Sequence, residues 1–345
     1  MEPFGIALTT LALFVSFGFM VGVLFGFFGM GGSFLVTPAL LVMGYPARVA
    51  VGSGMAFVFG TATIATLKHR DLGQVDYKLG GLMIVGTTSG IEVGSRVVYY
   101  LEELGLASGA IGVTYVVLLG AVGLFVTRNA LVNDDGDDSD DNHHESDEEF
   151  DPDAIPPLAK RIQSYRIPPM MTVAGGIQVS LWLILAVAFA TGLLSGFLGV
   201  GGGFIKMPAM VYLIGVPVPV AVGTDLFEIV FSGGFGAFTY GLNGGVDLSI
   251  VAPLLVGSAL GARIGSAATS VVDEDDIKIY FGLMLVGGSI AVAFRQAGDY
   301  LGMDALNTVS FALILLSAFM VSGAVIYSTI RTMRAEARAS APSAD

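Results

Sequence analysis

Residues 199–208 read GVGGGFIKMP, and residues 29–38 read GMGGSFLVTP. Both stretches lie inside apolar runs long enough to cross a membrane, although glycine is a weak helix former. When residues 22–41 are aligned with residues 192–211, ten of the twenty pairs are identical. The same glycine cluster therefore occurs twice at the same place in the hydrophobic pattern, and only the second copy carries a lysine, Lys206.

The likeness continues beyond the glycine clusters. After one inserted residue it resumes at a constant offset of 171, so that GYPARVAVGS at 44–53 matches GVPVPVAVGT at 215–224. This pattern indicates duplication of a whole structural unit. The first helix has a counterpart in mid-chain, and MEPFGIALTT lacks the basic residues of a signal peptide. We therefore expect the first helix to be a structural element and not a leader.

Composition predicts an all-α, polytopic integral membrane protein. Of 345 residues, 54% are hydrophobic and 13% charged, with a mean hydropathy of +0.78, whereas soluble domains carry about 25% charged residues. Each half contains five hydrophobic segments, and one extra segment follows. The predicted segments are 4–28, 33–45, 47–67, 77–100 and 106–127, then 177–199, 203–215, 218–240, 247–271 and 277–295, then 305–330.

Several chemistries are disfavoured. There is no cysteine, and two of the three histidines, His143 and His144, lie in an acidic loop. We therefore expect no metal site. We also expect no cofactor and no nucleic-acid partner. An intramembrane enzyme is also disfavoured, because the chain has no Gly-x-Ser-x-Gly turn and its remaining histidine, His69, is predicted in a polar connection.

The negative charge is concentrated in one loop. Residues 133–153 hold twelve acidic and no basic residues, which leaves 17 acidic (29 − 12) against 16 basic residues elsewhere. We expect this loop to be disordered and hydrated, and we interpret it as typical of a halophilic source. The predicted divisions are a first repeat (1–130), the acidic loop (131–165), a second repeat (166–300) and a C-terminal helix with its tail (301–345).

Basic residues predict the orientation. Residues 68–78, KHRDLGQVDYK, are basic, and so are the flanks of the acidic loop and the C-terminus. Placing all three in the cytoplasm requires an external N-terminus and eleven crossings. An odd number of segments per half inverts the second repeat, and inverted repeats are typical of secondary transporters.

The glycine clusters predict helix breaks inside the membrane. The second segment of each half is too short to span a bilayer, and a helix start presents free amides that favour anions. The alternative is that the glycines only permit close helix packing. The predicted substrate-binding residues come from both copies and the helix that follows: Gly31, Gly32, Ser33, Gly201, Gly202, Gly203, Lys206 and Thr224.

Charged residues inside the apolar segments are candidates for coupling or gating. Lys206 could bind the anion or extend to the interface; Asp225 and Glu228 share a helical face and could carry a proton or cation, or neutralise Lys206. Glu92 and Arg263 occupy equivalent repeat positions. They could pair across the interface, with Arg96 as a competing local partner of Glu92, or act in gating.

GFLGVGGGFIKMPAM at 196–210, AVGTDL at 221–226 and GSALGARIGS at 257–266 resemble the TauE/SafE sulfite exporter family, and GFFGMGGSFLVTPAL at 26–40 is a degenerate copy. The resemblance covers nearly the whole chain except the acidic loop and the last helix. It implies seven to nine spans and transport of sulfite or organosulfur anions. The chain departs from the pattern at Ser33 and in its large acidic insertion.

These observations favour a secondary transporter of small inorganic or organosulfur anions in the cell membrane, working by alternating access and coupled to a proton or cation. The alternatives are a passive anion channel and a membrane scaffold that does not transport.

Overall fold

The computed structural model describes residues 7–28, 33–134, 167–173, 176–268 and 274–339. The acidic run of the predicted loop and the predicted sites Gly31 and Gly32 lie outside these ranges. The first half contains α1 (Leu8–Phe28), α2 (Ser33–Val42), α3 (Ala47–Asp71), α4 (Tyr77–Glu103) and α5 (Ala107–Asp134). The second contains α6 (Leu181–Leu198), α7 (Gly203–Ala209), a π-helical turn (Met210–Ile214), α8 (Val218–Gly241), α9 (Leu248–Ala268) and α10 (Glu274–Leu301), and α11 (Asp304–Ala339) follows.

The predicted all-α membrane architecture is confirmed, and each predicted segment corresponds to a helix. Several boundaries differ: the third helix, the helix Glu274–Leu301 and the last helix end beyond their predicted limits of 67, 295 and 330. Residues 131–134 extend α5 into the predicted acidic loop, and α6 begins at Leu181 because a short hairpin precedes it. That hairpin pairs β1 (Met170–Thr172) with β2 (Gln178–Ser180) in an antiparallel arrangement, and the sequence did not predict it.

The described part of the chain does not contain eleven full-length crossings. Among the described residues, eight helices are long and apolar enough to cross a bilayer: α1, α3, α5, α6, α8, α9, α10 and α11. The ten residues of α2 are about 15 Å long at 1.5 Å per residue, half of a hydrocarbon core of about 30 Å. In the second half, α7 and its π-helical turn are similarly short. The 27-residue α4 carries charged residues, yet it matches α9 in the repeat.

The helix pairs reveal a two-fold relation between the halves. α1 lies parallel to α9, with Gly18 against Leu254 and Gly26 against Ala262. The equivalent pair is α4 with α6, which is also parallel, with Gly86 against Ala188. In both pairs glycines allow the two backbones to approach closely, as in other membrane helix pairs. In each pair, the first helix of one half (α1 or α6) therefore packs against the fourth helix of the other half (α9 or α4).

The central helix of each half packs against its own counterpart. α3 runs antiparallel to α8, because Gly52 near its start lies against Gly245 and Phe59 at its middle lies against Gly233. α5 likewise runs antiparallel to α10, because Gly112 lies against Gln296 and Gly123 lies against Leu285. Between them the Ser289 hydroxyl donates to the Val116 carbonyl at 2.9 Å. A two-fold axis that relates antiparallel counterparts is perpendicular to the helices. The repeats are therefore inverted, as predicted.

Candidate functional site

The second glycine cluster forms a tight turn at the end of α6. Gly199, Gly201 and Gly202 have φ values of 78°, 68° and 77°, in the left-handed region that favours glycine. A Cβ on Gly199 would lie 2.7 Å from the backbone of Val51, and one on Gly202 would lie 2.9 Å from the carbonyl oxygen of Thr191. The glycines are thus required both for the conformation of this turn and for its close packing.

This turn lies where the two halves meet. Gly201 packs against Val58 and Ile229, which lie near the middle of the paired helices α3 and α8. α6 therefore ends inside the helix bundle, where its last carbonyl groups have no water to bind. Two fully buried tyrosines, Tyr115 and Tyr240, supply the hydrogen-bond donors that water would supply elsewhere. Their hydroxyls donate to the carbonyl oxygens of Leu198 at 2.8 Å and Gly196 at 2.5 Å.

Lys206 is the fourth of the seven residues of α7 and is completely buried. Its Nζ lies 3.1 Å from Oδ1 of Asp225, donates a hydrogen bond to Oε2 of Glu228, and donates to the carbonyl oxygen of Gly201 at 3.3 Å. Asp225 and Glu228 are also fully buried, one turn apart on α8. We call Lys206, Asp225 and Glu228 the triad.

The triad carries unbalanced charge when all three groups are ionised, because two carboxylates face one ammonium. An uncompensated buried charge costs several kcal/mol. Asp225 Oδ2, Glu228 Oε1 and the hydroxyl of Ser232 have no hydrogen-bond partner within the described part of the chain. The contacts match the interpretation that these carboxylates neutralise Lys206. The second carboxylate exceeds what one ammonium can neutralise, so a coupling role for it stays a prediction.

The first half cannot hold an equivalent triad. Val36 occupies the position of Lys206, and Gly54 occupies that of Asp225. A Cβ on Gly54 would lie 2.7 Å from both the Gly199 carbonyl oxygen and the Thr37 hydroxyl. A carboxylate therefore does not fit there. The halves therefore differ in charge because the first half lacks the charged residues and also has no space for a carboxylate at Gly54.

Other predicted substrate-binding residues have defined places. Gly203 begins α7, and Ser33 begins α2. Thr224 is buried next to Asp225, and its hydroxyl accepts the backbone amide of Asp76 at 2.9 Å. The repeat equivalent, Ser53, accepts the amide of Asp247 at 3.0 Å. This bond recurs in both halves, so it stabilises the repeat fold whether or not Thr224 also contacts a substrate.

Glu92 and Arg263 lie away from the triad. Glu92 pairs with Arg96 one turn along α4, with Nη2 at 2.7 Å from Oε1, which is the local alternative that the sequence offered. Arg263 is exposed on α9, and no ion pair joins it to Glu92 among the described residues.

Sequence reasoning missed the burial of His69. This residue was predicted in a polar connection, but its ring is fully buried at the end of α3. Nε2 lies 3.0 Å from the carbonyl oxygen of Gly26, and Nδ1 lies 2.7 Å from Oε1 of Gln74. In the repeat alignment His69 matches Tyr240 and Gly26 matches Gly196. The alignment of these two pairs was the signal that could have predicted the shared contact.

Known proteins resemble this chain over most of its length. The family model described as Sulfite exporter TauE/SafE matches residues 14–292. Probable membrane transporter protein YunE of Bacillus subtilis is 23% identical over 282 residues, which cover 79% of this chain and 94% of that protein. A probable membrane transporter protein of Xylella fastidiosa is 25% identical, covering 83% and 96% of the two chains. No solved structure matches significantly.

Proposed function

Because the chain belongs to the TauE/SafE sulfite exporter family and is a multi-pass membrane transporter, we propose that it is a secondary transporter of small sulfur-containing oxyanions, such as sulfite or an organosulfonate. One observation carries the proposal: the inverted halves meet at a broken helix that holds a buried, charged triad. In transporters built this way, the substrate binds at the interface between the repeats.

The two halves support alternating access. α3 and α8 pack antiparallel along the interface, and the glycine turn after α6 lies between them. Rocking of one half against the other would expose this region first to one side of the membrane and then to the other. The backbone amides of the glycine turns and the ammonium of Lys206 are the groups that would bind an oxyanion. We assign Glu92 and Arg263, which form no ion pair with the triad among the described residues, to gating only.

The proposed orientation follows from the basic residues. The connection between α3 and α4, the flanks of the acidic segment and the C-terminal end of α11 are basic and would lie in the cytoplasm. The N-terminus would then be external. Single cysteines can be introduced against the cysteine-free background. Labelling of Asp71→Cys from outside intact cells would contradict this orientation.

Flux into proteoliposomes tests the function. Purified protein is reconstituted, and uptake of radiolabelled sulfite, thiosulfate, sulfate, a sulfonate and a carboxylate is compared with uptake into protein-free vesicles. We expect saturable uptake of at least one sulfur oxyanion, strongly reduced by Gly201→Val, which enlarges a position that already contacts Val58 and Ile229. Exposed Gly81→Val is the matched control. No flux of any anion would favour a scaffold, and flux that never saturates would favour a channel.

A further inference from the structure

The triad is closed to an anion in the form that the structure describes. Each of the three protons on the Lys206 ammonium has an acceptor nearby, namely Asp225, Glu228 or the Gly201 carbonyl. With both carboxylates ionised, the site carries one net negative charge, which repels an anion. An oxyanion can therefore bind Lys206 only after at least one carboxylate has lost its charge.

The two carboxylates are not held equally. Lys206 Nζ donates a hydrogen bond to Oε2 of Glu228 and lies closer to it than to Oδ1 of Asp225, which it contacts at 3.1 Å. A hydrogen bond to the charged form of a carboxylate favours that form. Asp225 is consequently the carboxylate that accepts a proton more readily.

No other titratable group among the described residues shares this site. From α3, Met55, Val58 and Phe59 contact this region. From α4, Tyr77 packs on Phe227, Gly80 lies against Thr224 and Ile91 lies against Gly236. The backbone amide of Asp76, which precedes α4, donates to the Thr224 hydroxyl, and within the described ranges neither Asp76 nor Tyr77 forms an ion pair with the triad. The end of α6 contributes Thr191 and Ser195 near the turn. On α4, Lys78, Arg96 and Glu103 are exposed, whereas Glu92 and Glu102 are half-buried and pair with Arg96 and Arg48.

We propose that Asp225 is the proton-binding switch of the transporter, so that its protonation frees the Lys206 ammonium to bind the substrate oxyanion. The inference rests on the transport function proposed above. A proton from the aqueous phase adds to an Asp225 oxygen and makes a neutral carboxylic acid. The Lys206 ammonium keeps its charge, retains Glu228 and exchanges its contact with Asp225 for one with the anion. Release reverses both steps.

This scheme sets the stoichiometry. The empty triad holds one positive and two negative charges. The loaded triad holds one positive charge, one carboxylate and one monovalent anion, so its net charge is the same. The empty and the loaded transporter therefore reorient with the same net charge at the triad, and one proton moves with each monovalent anion. Transport is therefore electroneutral, driven by a pH gradient and insensitive to membrane potential.

A proton fits the site better than a metal ion. The Lys206 ammonium already lies within ion-pair distance of both carboxylates and would repel a second cation. The described residues contain no group of three or more His, Cys, Asp or Glu side chains that could hold a metal. A proton needs a single oxygen, and Asp225 Oδ2 supplies it.

The test separates net transport from exchange in the same proteoliposomes. Net uptake is driven by an acidic exterior, and a trapped pH dye reports proton entry. Exchange of internal for external anion is measured without a gradient. For the wild type we expect both activities, with about tenfold accumulation for a gradient of one pH unit. Asp225→Asn imitates the protonated form, so it should lose accumulation and proton entry while exchange persists. Exposed Asp71→Asn is the matched control and should behave as the wild type.

Each other result has a defined meaning. Proton entry that accompanies every anion in Asp225→Asn, or anion flux without proton entry in the wild type, would overturn the proposal but leave the transport function intact. Accumulation that requires Na⁺ and ignores the pH gradient would replace the proton by a metal ion. Absence of both net uptake and exchange in the wild type would instead refute the transport function. Thermal unfolding of Asp225→Asn and of a second variant, Glu228→Gln, is measured in detergent. A melting temperature close to that of the wild type shows that lost transport reflects a lost coupling site and not a folding defect.

Discussion

Removing the ammonium of the triad should destabilise the protein through charge and not through packing. In Lys206→Met, an unbranched apolar side chain replaces the lysine and leaves Asp225 and Glu228 buried without a counter-charge. At 3.1 Å and an effective dielectric constant of about 20, the Lys206–Asp225 attraction alone is about 5 kcal/mol. Relaxation and proton uptake reduce the net effect, and breaking buried pairs typically costs about 3–5 kcal/mol. This corresponds to a fall in melting temperature of roughly 5–15 °C.

The triple variant Lys206→Met/Asp225→Asn/Glu228→Gln separates the two causes. Replacing a complete buried ion cluster by neutral groups is often close to neutral for stability, so the triple variant should recover most of the lost melting temperature. Thermal unfolding of the purified proteins in detergent gives the comparison, with exposed Lys78→Met as the control for loss of a lysine charge.

The pH dependence of Lys206→Met provides an independent check. Without the ammonium, the buried carboxylates of the folded protein bind protons. In the unfolded chain the same carboxylates are ionised near neutral pH. More protons are then bound in the folded state, so the free energy of unfolding falls as pH rises. The defect should be smaller in mildly acidic than in mildly alkaline buffer. Equal instability of the single and triple variants at both pH values would refute the electrostatic explanation and implicate packing.

Three further substitutions test the framework around the triad. Tyr115→Phe removes the hydroxyl that donates to the buried carbonyl of Leu198, and should cost about 1–3 kcal/mol in unfolding measurements without changing substrate selectivity. Gly202→Ala should be more destabilising than Gly44→Ala, because both have positive φ but only Gly202 is enclosed by backbone; equal losses of melting temperature would argue against close packing at the turn. Thr224→Val removes the acceptor for the amide that begins α4 and should cost about 1 kcal/mol in a chemical unfolding assay, while a complete loss of anion binding at unchanged stability would assign its hydroxyl to substrate.

The repeated sequence predicted most of the architecture. The duplicated glycine clusters and the constant offset of 171 residues predicted two equivalent units, and the odd number of segments predicted their inversion. The short second segments predicted helices that do not span the bilayer, as α2 and α7 show. These predictions succeeded because membrane burial restricts helix length and composition strongly. The β1–β2 hairpin was missed because its two strands are only three residues long.

The sequence by itself determined that this protein is an inverted-repeat membrane bundle with three unusual charges in its second half. A buried charge in an apolar segment is costly, so Lys206, Asp225 and Glu228 are visible without coordinates. Only the tertiary structure decided that they contact one another, because the glycine turn must bring α7 back against α8. It also decided that His69 is buried against Gly26, since this depends on which helices become neighbours. For Glu92 it chose between the two partners that the sequence offered, the local Arg96 and the distant Arg263. Helix neighbours are set by packing between distant segments, which local sequence patterns do not encode.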